Sequence, residues 1–471
     1  MNKALSNTLA IVVFNFFLTT MVDGARGATI DWSDATDGLF TDAARWTGGV
    51  VPGPGDLASL PREKNATITI SGGKRSVGGL QVRSKGGFVV NMDPGAVLSA
   101  DLDICGGGQI LVSKGTIEPR NTVVGGEFGA IGTLILSGGN CVATSGAFII
   151  NGGVSKDAYS CVQVNAGSTL TFNEEERGHV FSIGNSVNYP GVTLAKCALE
   201  VNGGTANISG SANEMKIGIW SAGTLSEVVA EVSVTSGTLN AFVESEKGRI
   251  LVGSRANSVL DRPDSDFGDC VAQLNVSGNG ILNAGGEGLW VGRNEKASPG
   301  QLNVEGGEAN LGGMILGNHG KITQSKGLLR FTGNKDFVIE AANGQQHLFM
   351  TGGVTLFQGV HSSEMTIAPG ETRAGNVLGK GFHNVEFGGP KMAPFRITLA
   401  QEFYGRGTSN GGNGTPGDGI MDLTVWPNVT IVYKNTTYKG TGGANSLGAF
   451  GTLAKSWGWD FVLATAPKGS P

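Results

Sequence analysis

Asp101 and Asp103 stand two residues apart in SADLDIC, a spacing that puts both carboxylates on one side of a strand. Paired carboxylates are what general acid–base work on a sugar polymer requires. The two can equally straddle a register set by burial of Leu102, and no aligned acid recurs in the next repeat. The run EEER at 174–177 reads as a solvated turn. His179, His319, His347, His361 and His383 share no metal-ligand spacing. The chain has no nucleophile elbow, phosphate loop or zinc motif. The expectation for catalytic residues is therefore none, and enzymatic activity stays open with the balance against it.

GTPGDGIMD at 414–422 invites a calcium reading. If Asp418 is position five of a loop, Asp422 is position nine. Gly414, Pro416 and Val425 then occupy positions one, three and twelve, where side-chain oxygens are needed. A polar turn is expected there, with no metal and no cofactor.

The stronger lead is positional. Four insertions follow short strands that end in glycine: NSVNYPGV after Gly184, IWSAGT after Gly218, SRANSVLDRPDSDFGD after Gly253 and RNEKASPG after Gly292. If the repeats stack, the insertions leave one side together. They carry Tyr189, Trp220, Arg255, Arg262, Asp264, Asp266 and Arg293. Trp290 points outward on its strand, as Lys216 does, and extends that side. Aromatic rings with Asp and Arg on loops suit carbohydrate contacts, and solvated loops without a ligand are the plainer alternative.

The elements that position these residues repeat. Gly115, Gly139, Gly167, Gly204, Gly237, Gly307 and Gly327 anchor one phrase. Five residues earlier stand Ile110, Leu134, Val162, Leu199, Val232, Leu302 and Ile322. Three residues earlier come Val112, Leu136, Val164, Val201, Val234 and Val304, with Gln324 the exception. The phrase at Leu274 fits with one residue inserted before Gly280. The position between is polar from Gln163 onward. This alternation predicts a strand with one buried face. The glycine predicts a corner, and a second short strand follows. No copy buries enough by itself, so stacked copies sharing one core are expected. Some nine coils at about 4.8 Å each would make a rod of roughly 45 Å. Right-handed winding is the default for parallel crossovers. A propeller needs more even spacing, and a sandwich would not repeat the same aliphatic pair before the same glycine. No sustained helical period follows the amino-terminal segment.

Composition agrees. Among 471 residues there are 79 glycines, with charged residues at 15% and a net charge of −5. No basic stripe favours nucleic acid. Lys3, the apolar LAIVVFNFFL and the small-x-small Ala25-Arg26-Gly27 predict a secretory signal over 1–27, with no transmembrane segment after its cleavage. Cys105, Cys141, Cys161, Cys197 and Cys270 are widely spaced and read as small buried hydrophobes.

GTLILSGGN at 132–140 and SGAFIINGG at 145–153 resemble the autotransporter-associated β-strand repeat. That resemblance, over about 107–330, implies a β-helical passenger of an exported bacterial protein. The spaced Trp32, Phe40, Trp46, Pro52 and Asp56 are similar to the opening module of secreted bacterial β-repeat proteins, and capping is preferred to ligand binding for the tryptophans. The text after the last clear repeat, including FRITLAQEF (395–403) and IMDLTVW (420–426), holds too few segments to close a membrane barrel. Self-secretion is therefore not implied.

The expected architecture is all-β: a single-stranded right-handed parallel β-helix, or β-solenoid, with an N-terminal cap and a small C-terminal β-region. Its parts are a signal (1–27), an aromatic cap (28–61), solenoid repeats (62–358) and a C-terminal β-region or cap (359–471). The expected function is a non-catalytic structural or adhesive protein of the periplasm, outer surface or extracellular space. It would bind polysaccharide or a surface protein through loops on one face. The alternative is a polysaccharide lyase or glycoside hydrolase on the same scaffold. A third reading is a piece of a larger surface assembly.

Overall fold

A computed structural model describes residues 27–125, 131–151, 159–174, 181–184, 194–210, 214–218, 227–244, 247–253, 269–292, 299–317, 320–333, 335–339, 348–350, 352–359, 364–368, 384–389, 393–400, 402–403 and 422–465. It is all-β with a long, mostly parallel sheet, an arrangement compatible with a β-solenoid. Through the middle of the chain each strand pairs with the third strand after it, so the sheet resolves into three parallel ladders around one core.

The second ladder carries the repeated aliphatic pair. Leu134 pairs with Val162, Val162 with Leu199, Leu199 with Val232, Val232 with Leu274, Leu274 with Leu302 and Leu302 with Ile322. All are fully buried. The spacing read from the anchor glycines is thus the pairing register itself, including the inserted residue before Gly280. Each such side chain stabilises the stack by about 1.5–3 kcal/mol relative to exposure. Where valine gives way to Gln324, the amide is also buried. Its Nε2 donates to the Val354 carbonyl at 3.0 Å, and its Oε1 accepts from Thr355 Oγ1 at 2.9 Å. A buried polar exception is tolerated because both ends of the amide are satisfied.

The third ladder holds the strands after the glycine corner, such as Thr205–Gly210, Thr238–Ala241 and Ile281–Ala284. The first ladder holds the glycine-terminated strands Glu214–Ile217, Arg249–Val252 and Gly288–Val291. It runs from Thr29 to Tyr433, further than the nine-coil estimate, because coils without the glycine phrase extend it at both ends. Like residues stack on like: Phe148 on Phe181 with centroids 5.0 Å apart, and Phe331 on Phe357 at 4.9 Å.

At the start of the rod, Trp32, Phe40 and Trp46 are buried against one another, with the two indoles edge-to-face at 4.9 Å. Residues 43–49 fold over the first strand: Asp31 N–H donates to Thr47 Oγ1 and Ser33 N–H to the Arg45 carbonyl. These rings are spent on packing and present no face to a ligand.

Near the other end, the strands Phe395–Leu399 and Asp422–Val425 continue the first and third ladders. Val429–Tyr433 then turns back on Thr436–Tyr438 through Lys434 and Asn435, both at positive φ, as a two-residue hairpin of primed type demands. Helix α1 (Leu447–Ser456), capped by Ser446 Oγ, buries Leu447, Phe450, Gly451 and Ala454. The sequence shows no sustained helical period at this place. LGAFGTLAKS spans under three turns and holds two glycines, so its helical period is weak.

Beside that hairpin, Glu402 accepts from Lys434 Nζ at 2.8 Å and Tyr433 Oη at 2.6 Å. These bonds hold its carboxyl at about 2, below the ordinary 4.5. A depressed folded pKa adds stability above the unfolded value and loses it as pH falls through the folded one. The melting temperature of Glu402→Gln is therefore expected to fall less than the parent's between pH 4.5 and 2, measured by circular dichroism.

Glycine is needed at the corners for two different reasons. Gly167 has φ 76° and open space where a Cβ would sit. Gly237 has no such φ, but a Cβ would lie 2.3 Å from the Gly204 carbonyl oxygen in the coil before. Gly167→Ala is expected to cost about 1–2 kcal/mol in denaturant titrations, the local price of a left-handed conformation. Gly237→Ala should cost more, because two coils must move apart.

Candidate functional site

Gly184, Gly218, Gly253 and Gly292 close strands of the first ladder that pair in succession. Each sits at positive φ and donates its N–H to a carbonyl of the previous coil, at 2.8–2.9 Å. The four insertions therefore depart from one stacked corner. Tyr189, Trp220, Arg255, Arg262, Asp264, Asp266 and Arg293 lie outside the described residues, as do all five histidines and Glu175–Arg177. Of the GTPGDGIMD turn only Asp422 is described.

Trp290 is described, half-buried, on the outward side of the first ladder. Lys216, Leu251 and Trp290 form one row across three coils. The Arg249 guanidinium lies 3.9 Å from the Trp290 ring centroid, a close cation–π contact. It is held there from both sides: Nε donates to Glu214 Oε1 at 3.0 Å, and Nη1 to Glu287 Oε2 at 2.8 Å. Lys216 Nζ reaches Glu214 Oε2 at 3.3 Å. Burial works against the charge of Arg249, and the bonds from Glu214 and Glu287 outweigh it and raise the pKa. The result is an aromatic plate backed by a fixed cation.

Ile149, Ser182 and Leu251 point away from the core, yet are 7%, 0% and 6% exposed.

The second ladder carries a cluster that sequence reasoning missed. Glu200 accepts from Tyr159 Oη at 2.7 Å and from Gln163 Nε2 at 3.1 Å, and Lys196 Nζ stands 4.5 Å from the Tyr159 ring centroid. One coil on, Glu231 accepts from Ser233 Oγ at 2.7 Å and Asn275 Nδ2 at 2.9 Å. Residues from successive coils thus meet, and the only signal in the sequence was the polar middle position of each phrase. The Tyr159 hydroxyl is pushed up, first by its bond to Glu200 and then by burial. A tyrosine so held stays protonated and gives up its proton less readily near neutrality.

Asp101 and Asp103 do share the outward side of one strand, with Leu102 buried between them. Both are engaged in holding neighbouring coils. Asp101 accepts from the backbone N–H groups of Arg120 and Asn121 at 3.1 Å, and Asp103 from Gln81 Nε2 at 2.7 Å. Cys105, Cys141, Cys161 and Cys197 are buried. Burial pushes the Cys141 thiol up to about 12, which suppresses thiolate chemistry. Among the described residues no group of three or more His, Cys, Asp or Glu is placed to hold a metal ion. No helix among them is long and apolar enough to cross a membrane.

No protein-family model, no curated protein and no solved structure matches the chain.

Arg249→Met is expected to cost about 1–2 kcal/mol, since it removes the cation shared by two half-buried carboxylates, Glu287 and Glu214, and leaves Glu214 with Lys216 alone. It should also expose one face of the Trp290 ring. The check is a red shift in the emission that Trp290→Phe removes from the spectrum.

Proposed function

We propose that this chain is an exported, non-catalytic scaffold of the bacterial surface or periplasm. It is wound as a right-handed β-solenoid and binds polysaccharide or a neighbouring protein through its loop-bearing side. Right-handed winding follows from the preference of parallel crossovers. The observation that carries the reading is the stacking of four insertion points at one corner. Beside that corner lies a ladder face with half-buried Trp290 and Arg249 at its surface. A repeat protein that concentrates its non-repeated residues on one side is built to present that side. The resemblance of 132–153 to autotransporter-associated repeats supports export in the same direction.

A second reading, a polysaccharide-degrading enzyme, is favoured by one observation: Tyr159, Lys196, Glu200 and Glu231 are brought together from adjacent coils. Acid and base groups from neighbouring coils are what catalysis on such a scaffold needs. Here, however, each carboxylate is occupied by side chains of its own face.

The two readings part in one assay. The purified chain is incubated with a panel of soluble polysaccharides, and binding and new chain ends are scored together. Binding without new ends is expected, weakened about tenfold, or about 1.4 kcal/mol, by Trp290→Ala, Trp220→Ala or Tyr189→Ala. New chain ends abolished by Glu200→Gln or Glu231→Gln would replace the scaffold with the enzyme. Binding indifferent to all three aromatic substitutions would remove the loop side as the site.

A further inference from the structure

The third ladder has an outward side unlike the other two. Thr169, Thr205 and Thr238 stack in one rank that ends on Ile281, and Thr171, Asn207, Asn240 and Asn283 stack in a second rank two residues along the strands. The register between these strands, and on to Glu308–Leu311, carries no shift. The outward positions of the four coils from Thr169 to Asn283 carry no charge in either rank. Charge returns beyond the ranks, with Glu118 on one side and Glu308 paired to Arg330 on the other. The asparagines are locked in orientation: Asn240 Nδ2 donates to Asn207 Oδ1 at 2.8 Å, Asn283 to Asn240 at 2.7 Å and Asn310 to Asn283 at 2.8 Å. Arg330 Nη1 closes the row on Asn310 Oδ1 at 3.0 Å.

We infer that this side of the rod binds an ordered water lattice, the surface of ice. Strands repeat at about 4.8 Å and alternate residues along a strand at about 6.6 Å, so the two ranks form a near-rectangular array of hydroxyls and amides, with Ile281 the one apolar member. That array lies close to the spacing of water oxygens on a prism face of hexagonal ice. Threonine supplies a hydroxyl beside a methyl group, and the methyl holds water in a cage instead of binding it strongly. Each asparagine amide spends one N–H on the ladder and keeps a second. A charged side chain would impose its own hydration shell and break the lattice, so an uncharged stretch bounded by charges fits an uncharged, periodic partner. No aromatic ring stands in either rank, which disfavours a glycan platform here.

The test uses the purified full chain, because this property is separable from polysaccharide binding at the loop side. Thermal hysteresis and partition into a growing ice hemisphere are measured for the parent, Thr205→Lys, Thr238→Lys and Gln273→Lys. The last places the same charge on the outward side of the second ladder. Melting curves establish that each variant is folded, and Thr238→Lys serves if Thr205→Lys is not. Hysteresis in the parent, lost in the threonine variants and kept in Gln273→Lys, is the expected result. Absence of hysteresis in the parent overturns the inference. So does its survival in a folded threonine variant, or an equal loss in Gln273→Lys.

Discussion

Most described side chains of the three ladders have as their closest non-local neighbours the residues at the same place in the coils before and after. That constraint follows from parallel pairing whose register is kept from coil to coil except at bulges such as those beside Val304 and Val90, and the rest of the structure follows from it. In a sandwich or a bundle, a valine can be accommodated by many different partners. Here a residue must tolerate a near copy of itself about 4.8 Å away. Aliphatic side chains and phenylalanine do so by stacking. Asparagine does so by donating to its own kind. Like charges cannot, which is why Arg249 stands between Glu214 and Glu287 in place of a column of one sign.

The same constraint explains what the sequence made legible. The aliphatic pairs at Leu199 and Val201 or Leu274 and Val276 could be aligned because stacking requires equivalent positions to resemble one another. The polar middle position was legible for the same reason, as the outward member of a two-residue alternation. The coils near either end were not. There the glycine phrase lapses, and strands such as Leu57–Leu60 or Phe395–Leu399 join the ladders without it. Helix α1 was hidden by its shortness and its glycines.

The candidate sites were less legible, because they assemble across coils. Nothing in the spacing of Tyr159, Lys196, Glu200 and Glu231 says that they meet. Their separation along the chain reflects intervening insertions and not distance in space. Trp290 could be placed outward by parity alone, but its pairing with Arg249 required the coil register. Asp101 and Asp103 were correctly put on one side of a strand. Their work, however, is to tie successive coils at Arg120, Asn121 and Gln81. In a stacked architecture an exposed polar residue is therefore first a candidate for coil-to-coil bonding, and a candidate for chemistry only once those bonds have been counted.

A parallel stack invites templating, because its first strand offers an edge to any other chain in an extended conformation. Here the edge is closed by a segment running the opposite way, with Asp31 and Ser33 already donating to Thr47 and Arg45, and Trp46 seated on Trp32. Fibril growth from this end would have to peel the two indoles apart and expose them to water before the first new hydrogen bond formed. The cap is thus a kinetic lock on aggregation as well as a lid on the core. Its strength rests on a few aromatic contacts at a point where the repeats themselves contribute nothing.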